Sequence, residues 1–267
     1  MHTALAATAT LLSVAFAMFT LERWLGRHRR HELMWTIALA MFALGSFGLW
    51  LGGALGWSEW SFKLFFLFGA ILNVPFLALG TVYLLGGRKV GDVTLAVVSL
   101  LGAFAAGIVV ATPLTHAIAG TTLPQGSAVF GIGPRIAAGV GSGVAATVIF
   151  AGAIWSAVQL LIGRRRSRAA GAPAIPARRL AAANLVIAAG TLILSAGGIL
   201  NSTVDAMNAF SVSLVVGIAV IFAGFLLASG PTSTGPAPVR GSLGAGDPAE
   251  PDLAQGTAQE LAGHVVR

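Results

Sequence analysis

Cysteine is absent from the 267 residues, and charge is scarce, with Lys, Arg, Asp and Glu together making up 9%. The first absence excludes disulfides, thiolate metal sites and cysteine nucleophiles. The second excludes water as the main solvent, because a soluble domain carries about 25% charged residues. The phosphate-loop pattern G-x-x-x-x-G-K-[ST] is missing as well. None of the five His residues pairs with another inside an apolar run, which removes a bis-histidine haem, and the last apolar run has no lysine for a retinal Schiff base. Ser142 lies among glycines in Gly139-Val140-Gly141-Ser142-Gly143, but it lacks the G-x-S-x-G spacing and has no histidine at depth to activate it. No motif here points to a catalytic centre, a metal site or a cofactor site, and an enzyme is the least supported reading.

What is present is apolar. Hydrophobic residues make up 56% of the chain and the mean hydropathy is +0.87. They fall in seven runs, at 4–21, 33–53, 61–85, 92–112, 135–162, 180–200 and 207–229. Each is long enough to cross a hydrocarbon layer of ~30 Å at ~1.5 Å per residue. The expected fold is all-α: a polytopic membrane protein whose seven-transmembrane-helix bundle occupies 1–229. From 230 to 267 the composition turns to Gly, Pro, Ser and Thr and then mildly acidic, which predicts a disordered cytoplasmic tail.

Charge placement orients the bundle. Arg23, Arg27, Arg29 and Arg30 follow the first run, Arg88 and Lys89 the third, and Arg164, Arg165, Arg166, Arg168, Arg178 and Arg179 the fifth; Arg240 and Arg267 lie in the tail. Only Lys63 and Arg135 fall on the other side, a split of 14 to 2. The positive-inside rule then puts the amino terminus outside and the carboxyl terminus in the cytoplasm. A cleaved signal peptide wants basic residues before its apolar core. Here they come after it, so the first run reads as an uncleaved span, with Ala15-Phe16-Ala17 keeping cleavage as the alternative. The net charge of +7 sits in short clusters between spans. That suits the lipid bilayer and its anionic headgroups, notably at Arg164, Arg165, Arg166 and Arg168, and not nucleic acid. Arginine in great excess over lysine, with abundant Ala and Gly, points to a bacterial plasma membrane.

Polar residues inside the spans are the candidate site residues. In the third run, Asn73 and Pro75 put an amide and a helix-breaking imide at depth, predicting a kink and either a hinge or a cavity-lining group. Gly69, Asn73 and Gly80 share one face there, a seam that admits a neighbouring backbone. In the sixth run, Asn184, Thr191, Ser195 and Gly198 recur at helical spacing and must face protein or water rather than lipid. Glu59, Lys63, His116, Arg135 and Asp205 form a candidate outer rim, with Gln125 nearby and Glu59–Lys63 spaced for an i, i+4 pair. Gly48 with Gly52, and Gly139 with Gly143, read as G-x-x-x-G packing faces. A carboxylate at depth, usual in proton-coupled transport, is missing unless Glu32 or Asp92 lies deeper than its charged surroundings suggest. Between the fourth and fifth runs, Thr112–Pro134 reads as a long outer connection, with Pro134 opening the next helix.

The runs RRHELMWTIALAMFALGSFGLWLG and SFKLFFLFGAILNVPFLALGTVYLL resemble the second and third helices of the seven-helix sensor region at the amino terminus of some bacterial histidine kinases. The shared features are an Arg-rich inner loop, a Trp-bearing second span, and an aromatic-rich third span with a mid-helix proline. No dimerisation helix, phospho-acceptor histidine or ATP-binding domain follows, so the resemblance implies a stand-alone relative that signals through a protein partner. The leading expectation is therefore a sensor-like or accessory membrane protein. The alternatives are a small-solute permease along the Asn184–Ser195 stripe past Asn73, and a structural subunit of a membrane complex.

Overall fold

A computed structural model describes residues 2–116, 118, 120–169, 175–204 and 207–229, the side chains at 127, 157, 159–169, 175–181, 183, 184, 199–204, 207, 228 and 229 excepted. Among the described residues there is no strand. The elements are α1 (His2–Arg27), α2 (Arg30–Leu55), α3 (Glu59–Leu64), a π-helical segment (Phe65–Leu72), α4 (Asn73–Ala111), α5 (Gly126–Val129), α6 (Ile132–Ala169), α7 (Ile175–Val204) and α8 (Met207–Ser229). Five helical stretches within them are long and apolar enough to cross a membrane: His2–Arg27, Arg30–Leu55, Glu59–Ala111, Ile132–Ser156 and Asn208–Leu227. In α7 the apolar part is the shorter Leu185–Gly198. The protein is thus an all-helical, multi-pass membrane protein by length and composition.

The Glu59–Ala111 stretch has 53 residues, about twice what a bilayer requires, and it doubles back. Gly87 sits at φ 75° and ψ −175°, a conformation open to glycine and closed to most L side chains. The contacts on either side pair the two arms end to end. Lys63 Nζ donates to Val110 O at 2.9 Å. A Cβ on Gly102 would lie 3.1 Å from Leu72, and Tyr83 Oη donates to Asp92 Oδ1 at 2.7 Å. Only antiparallel arms satisfy all three. The break expected between 85 and 92 is therefore a one-residue reversal. At the other end, Ser58 and Ser61 form a reciprocal capping box that starts α3.

Helix ends sort into two groups. At the Gly87 end, Arg30 and Arg88 both pair with Asp92, and Arg23 of α1 pairs with Glu32 of α2. At the Glu59 end, Gly53 of α2 lies beside His2 and Thr3 of α1. Arg23, Arg30 and Arg88 thus meet carboxylates at one end of the bundle. Arg164, Arg165, Arg166, Arg168, Arg178 and Arg179 were expected in a loop, but they lie on the helical backbone of α6 and α7. Asp205 and the tail from 230 fall outside the described residues.

Packing uses the small residues that the sequence singled out, with one correction. A Cβ on Gly45 would come within 2.7 Å of Gly69 Cα and N, so α2 and the π segment meet backbone to backbone. Gly80 lies under the Trp35 ring, Gly52 under Trp57, and Gly48 against the Phe65 backbone. Gly139 and Gly143 do not form a packing face: nothing lies within 4 Å of a Cβ built on either. Both border the space described next.

Candidate ligand cavity

The first ingredient of the site is Pro75. It has no N–H to give to the preceding turn, and its ring crowds the carbonyl of Ile71. The structure answers with the π segment Phe65–Leu72 immediately before Asn73; such wide turns concentrate at functional sites. Counted in π register, the carbonyl that would await the Pro75 N–H is that of Ala70. Ser142 Oγ of α6 donates to Ala70 O at 2.6 Å, so a neighbouring helix supplies the donor that the proline lacks. The kink is pinned from outside.

The second ingredient is space. A cavity of about 790 Å³ lies between α2, the π segment, α4, α6, α7 and α8, within the range of small-molecule sites. Its walls are chiefly aromatic and aliphatic, among them Phe42, Phe65, Phe66, Phe210, Leu214 and Ile218. Polar groups are few: Ser46, Asn73, Gln125, Arg135, Ser142, Thr191 and Ser195. Asn73, Thr191, Ser195 and Arg135, which the sequence placed in three separate groups, meet here on one cavity.

Their environments differ. Asn73 is 8% exposed, and its Oδ1 has no hydrogen-bond partner. An orphaned buried acceptor is uncommon in a folded protein. The hydroxyls of Thr191 and Ser195 donate back along α7, to Ile187 O and Thr191 O, both at 2.9 Å. Their oxygens keep free lone pairs. Arg135 is exposed and sits in the first turn of α6, which contains no acidic residue. It adds a full charge to the positive end of the helix dipole, and no carboxylate among the described residues pairs with it.

Towards the Gly87 end the cavity meets a cluster of aromatic rings. Its innermost lining residues are Ala38, Leu77, Ala146 and Ile221. Beyond them Trp35 stacks edge-on against Phe225 at 5.4 Å. Phe16 packs on Phe222 and Phe225 at 4.6 and 5.3 Å. This aromatic floor rests on the Arg23–Glu32 pair (3.3 Å), with Arg23 also over the Phe225 ring at 5.3 Å.

The other rim candidates have structural partners. Glu59 and Lys63 form the expected i, i+4 pair at 2.7 Å, yet Lys63 is buried and committed to Val110 O as well. His116 Nδ1 lies 3.1 Å from Ala128 O, in a segment folded over the helix ends. That segment is no loose connection: Thr115 N donates to Val129 O, Trp57 N to Gly120 O, and Phe130 packs on Phe66 at 4.9 Å. Asn184 is on the α7 backbone with its side chain outside the described set, and Asp205 lies outside it altogether. Glu32, which the sequence left open as a deeper carboxylate, is fully buried, with Oε2 unpartnered. Sequence reasoning missed one residue. Ser142 was set aside as a failed nucleophile, although a single hydroxyl in a glycine run facing a proline-bearing span was the available clue.

Comparison with protein-family models, with curated proteins and with solved structures finds no match.

Proposed function

We propose that this chain is a seven-span protein of a bacterial plasma membrane, amino terminus outside and carboxyl terminus cytoplasmic. It takes a ligand into the intrabundle cavity and reports occupancy through a protein partner, as a sensor-like or accessory subunit. The observation that carries the reading is the cavity itself: mostly apolar, with Asn73, Ser142, Thr191 and Ser195 among its few polar lining residues and an aromatic cluster at one end. Aromatic packing across one end suits binding rather than passage. The reversal at Gly87 supports counting the Glu59–Ala111 stretch as two spans, and α7 as a further one. The basic residues joined to Asp92 and Glu32 at one end support the orientation. The likeness of residues 23–85 to histidine-kinase sensor helices points the same way. The π segment and Pro75 are the element that ligand contact would shift.

The chain has no native cysteine, so single cysteines at 191 and 195 report access cleanly. A water-soluble thiol reagent is expected to label both from the outside only, with protection by ligand. Copurification from native membranes is expected to recover a cytoplasmic partner, and Asn73→Leu or Pro75→Ala to alter its yield or its output. Unchanged behaviour in both variants refutes the relay. The permease reading is favoured by one observation, that Thr191, Ser195 and Asn73 share the cavity; labelling at 191 and 195 from both sides would establish it instead.

A further inference from the structure

We infer that the cavity opens sideways into the bilayer between α6 and α7, and that its ligand is an uncharged, hydroxyl-bearing lipophile taken from the lipid phase. The inference rests on the ligand-cavity reading above and adds the route of entry and the chemical class. Exposure locates the opening. The lining residues contributed by every element other than α6 and α7 are buried or half-buried. The exposed ones are Arg135, Gly139 and Gly143 of α6, with Ser195 and Gly198 of α7. The first three recur every fourth residue and the last two lie three apart, so each set shares one helix face. Among the described residues, nothing lies within 4 Å of a Cβ built on Gly139, Gly143 or Gly198. Other glycines of α7 differ. A Cβ on Gly190 would meet Gly217 O and Ile221, and one on Gly197 would meet Ser213. Thus α7 packs closely on α8, while its cavity face is open beside α6.

The opening lies at lipid depth. The apolar stretch of α6 starts at Ile132, and Gly139 and Gly143 follow it by ~10 and ~16 Å at ~1.5 Å per residue. That is the middle of a hydrocarbon layer of ~30 Å. The flanking side chains are exposed and apolar: Ile136, Val140 and Val144 on α6 and Leu192 on α7. A gap so placed admits what is already dissolved in the bilayer. The walls then set the chemistry. Ser142 donates to Ala70 O, Thr191 to Ile187 O and Ser195 to Thr191 O. Each hydroxyl has given its hydrogen to the main chain and offers only lone pairs, so the ligand must bring the donor. Charge among the described lining residues is confined to Arg135 in the first turn of α6. Deeper in, a neutral hydroxyl is the donor that escapes the cost of burying charge.

Nitroxide labels at Gly143→Cys and Gly198→Cys test the route in the full chain in lipid vesicles. The native chain has no cysteine, and both positions have room for a side chain. Power saturation reads collisions with oxygen, which concentrates in lipid, and with a neutral nickel chelate, which stays in water. Both labels are expected to meet oxygen several-fold more readily than the chelate. Access of the chelate equal to that of oxygen means a water-filled mouth, and protection from both means packed helices; either overturns the lateral route. Dodecanol added to the vesicles is expected to lower oxygen access at Gly198→Cys by about half, and dodecyl methyl ether, the same chain without a donor, to do so far less. A label at Val144→Cys, on the lipid-facing surface, should respond to neither. No response to dodecanol, or an equal response to the ether, overturns the ligand class and leaves the route standing. The cavity reading fails separately, when cysteines at 191 and 195 resist the thiol reagent.

Discussion

Gly45→Ala adds a single methyl group where two backbones touch, and its effect can be worked from distances. The new Cβ would meet Gly69 Cα and N at 2.7 Å and Phe68 C at 3.3 Å. Carbon atoms settle at about 3.5–4.0 Å, so roughly 1 Å must be yielded. The atoms in the way are main chain, not the end of a side chain that could rotate. Overpacking of this kind costs about 1–3 kcal/mol, while alanine in place of a helical glycine returns up to about 1 kcal/mol. The net loss should be about 1–2 kcal/mol. Gly107→Ala is the control, because nothing lies within 4 Å of its Cβ; there only the propensity gain of up to about 1 kcal/mol operates. Thermal or denaturant unfolding in a neutral detergent should therefore separate the two variants in opposite directions from the native chain. The displaced π segment carries Phe65 and Phe66 in the cavity wall, so ligand binding should weaken in Gly45→Ala alone. If Gly45→Ala unfolds at or above the midpoint of Gly107→Ala, α2 and the π segment are not in backbone contact and the seam is wrong.

Glu32 is fully buried against Arg23 at 3.3 Å, so Arg23→Met should cost about 3 kcal/mol by stranding the carboxylate, and Arg23→Met with Glu32→Leu should recover most of it; calorimetry in detergent measures both. Ser142→Ala removes the donor to Ala70 O and should lower stability by about 0.6 kcal/mol, the mean for hydrogen bonds between membrane helices, while Ser142→Thr keeps it; unfolding midpoints distinguish them. Asn73→Leu should leave the empty protein as stable as the native chain or more so, since it removes an unpaired buried acceptor worth about 1–3 kcal/mol. A fall in the unliganded midpoint would show that Oδ1 has a partner after all.

Most of the helical frame was legible because apolar length and charge alternation act on whole segments. The runs at 33–53 and 207–229 correspond to α2 and α8 almost residue for residue. A connection between the third and fourth runs was expected at Arg88 and Lys89, but its reversal through one residue at positive φ, Gly87, was not. Arg164 to Arg168 misled as a loop, because arginine is a good helix former and a charge run says nothing about backbone. The fit between Pro75 and Ser142 was illegible for a different reason: it joins residues 67 positions apart, and no periodicity encodes it. The segment after Thr112 has loop composition but holds buried Leu123, Val129 and Phe130. Scattered apolar residues in a Gly- and Thr-rich stretch carry no period to read.

Asn73 shows why the site, unlike the fold, had to wait for three dimensions. From sequence, an asparagine beside a proline is as well explained by satisfying a broken helix as by meeting a ligand. In the structure that local task is performed by Ser142, which donates to the carbonyl one π turn before Pro75. The asparagine is thereby released from the kink it accompanies. Its Oδ1 is buried where no protein donor reaches it, which costs about 1–3 kcal/mol that a leucine would avoid. Thr191 and Ser195 on the facing helix satisfy their own donors within α7, so they cannot be the missing partner by donation. The proline kink and the cavity therefore share a wall: α6 holds the kink through Ser142, and Ser142 and Asn73 both line the cavity.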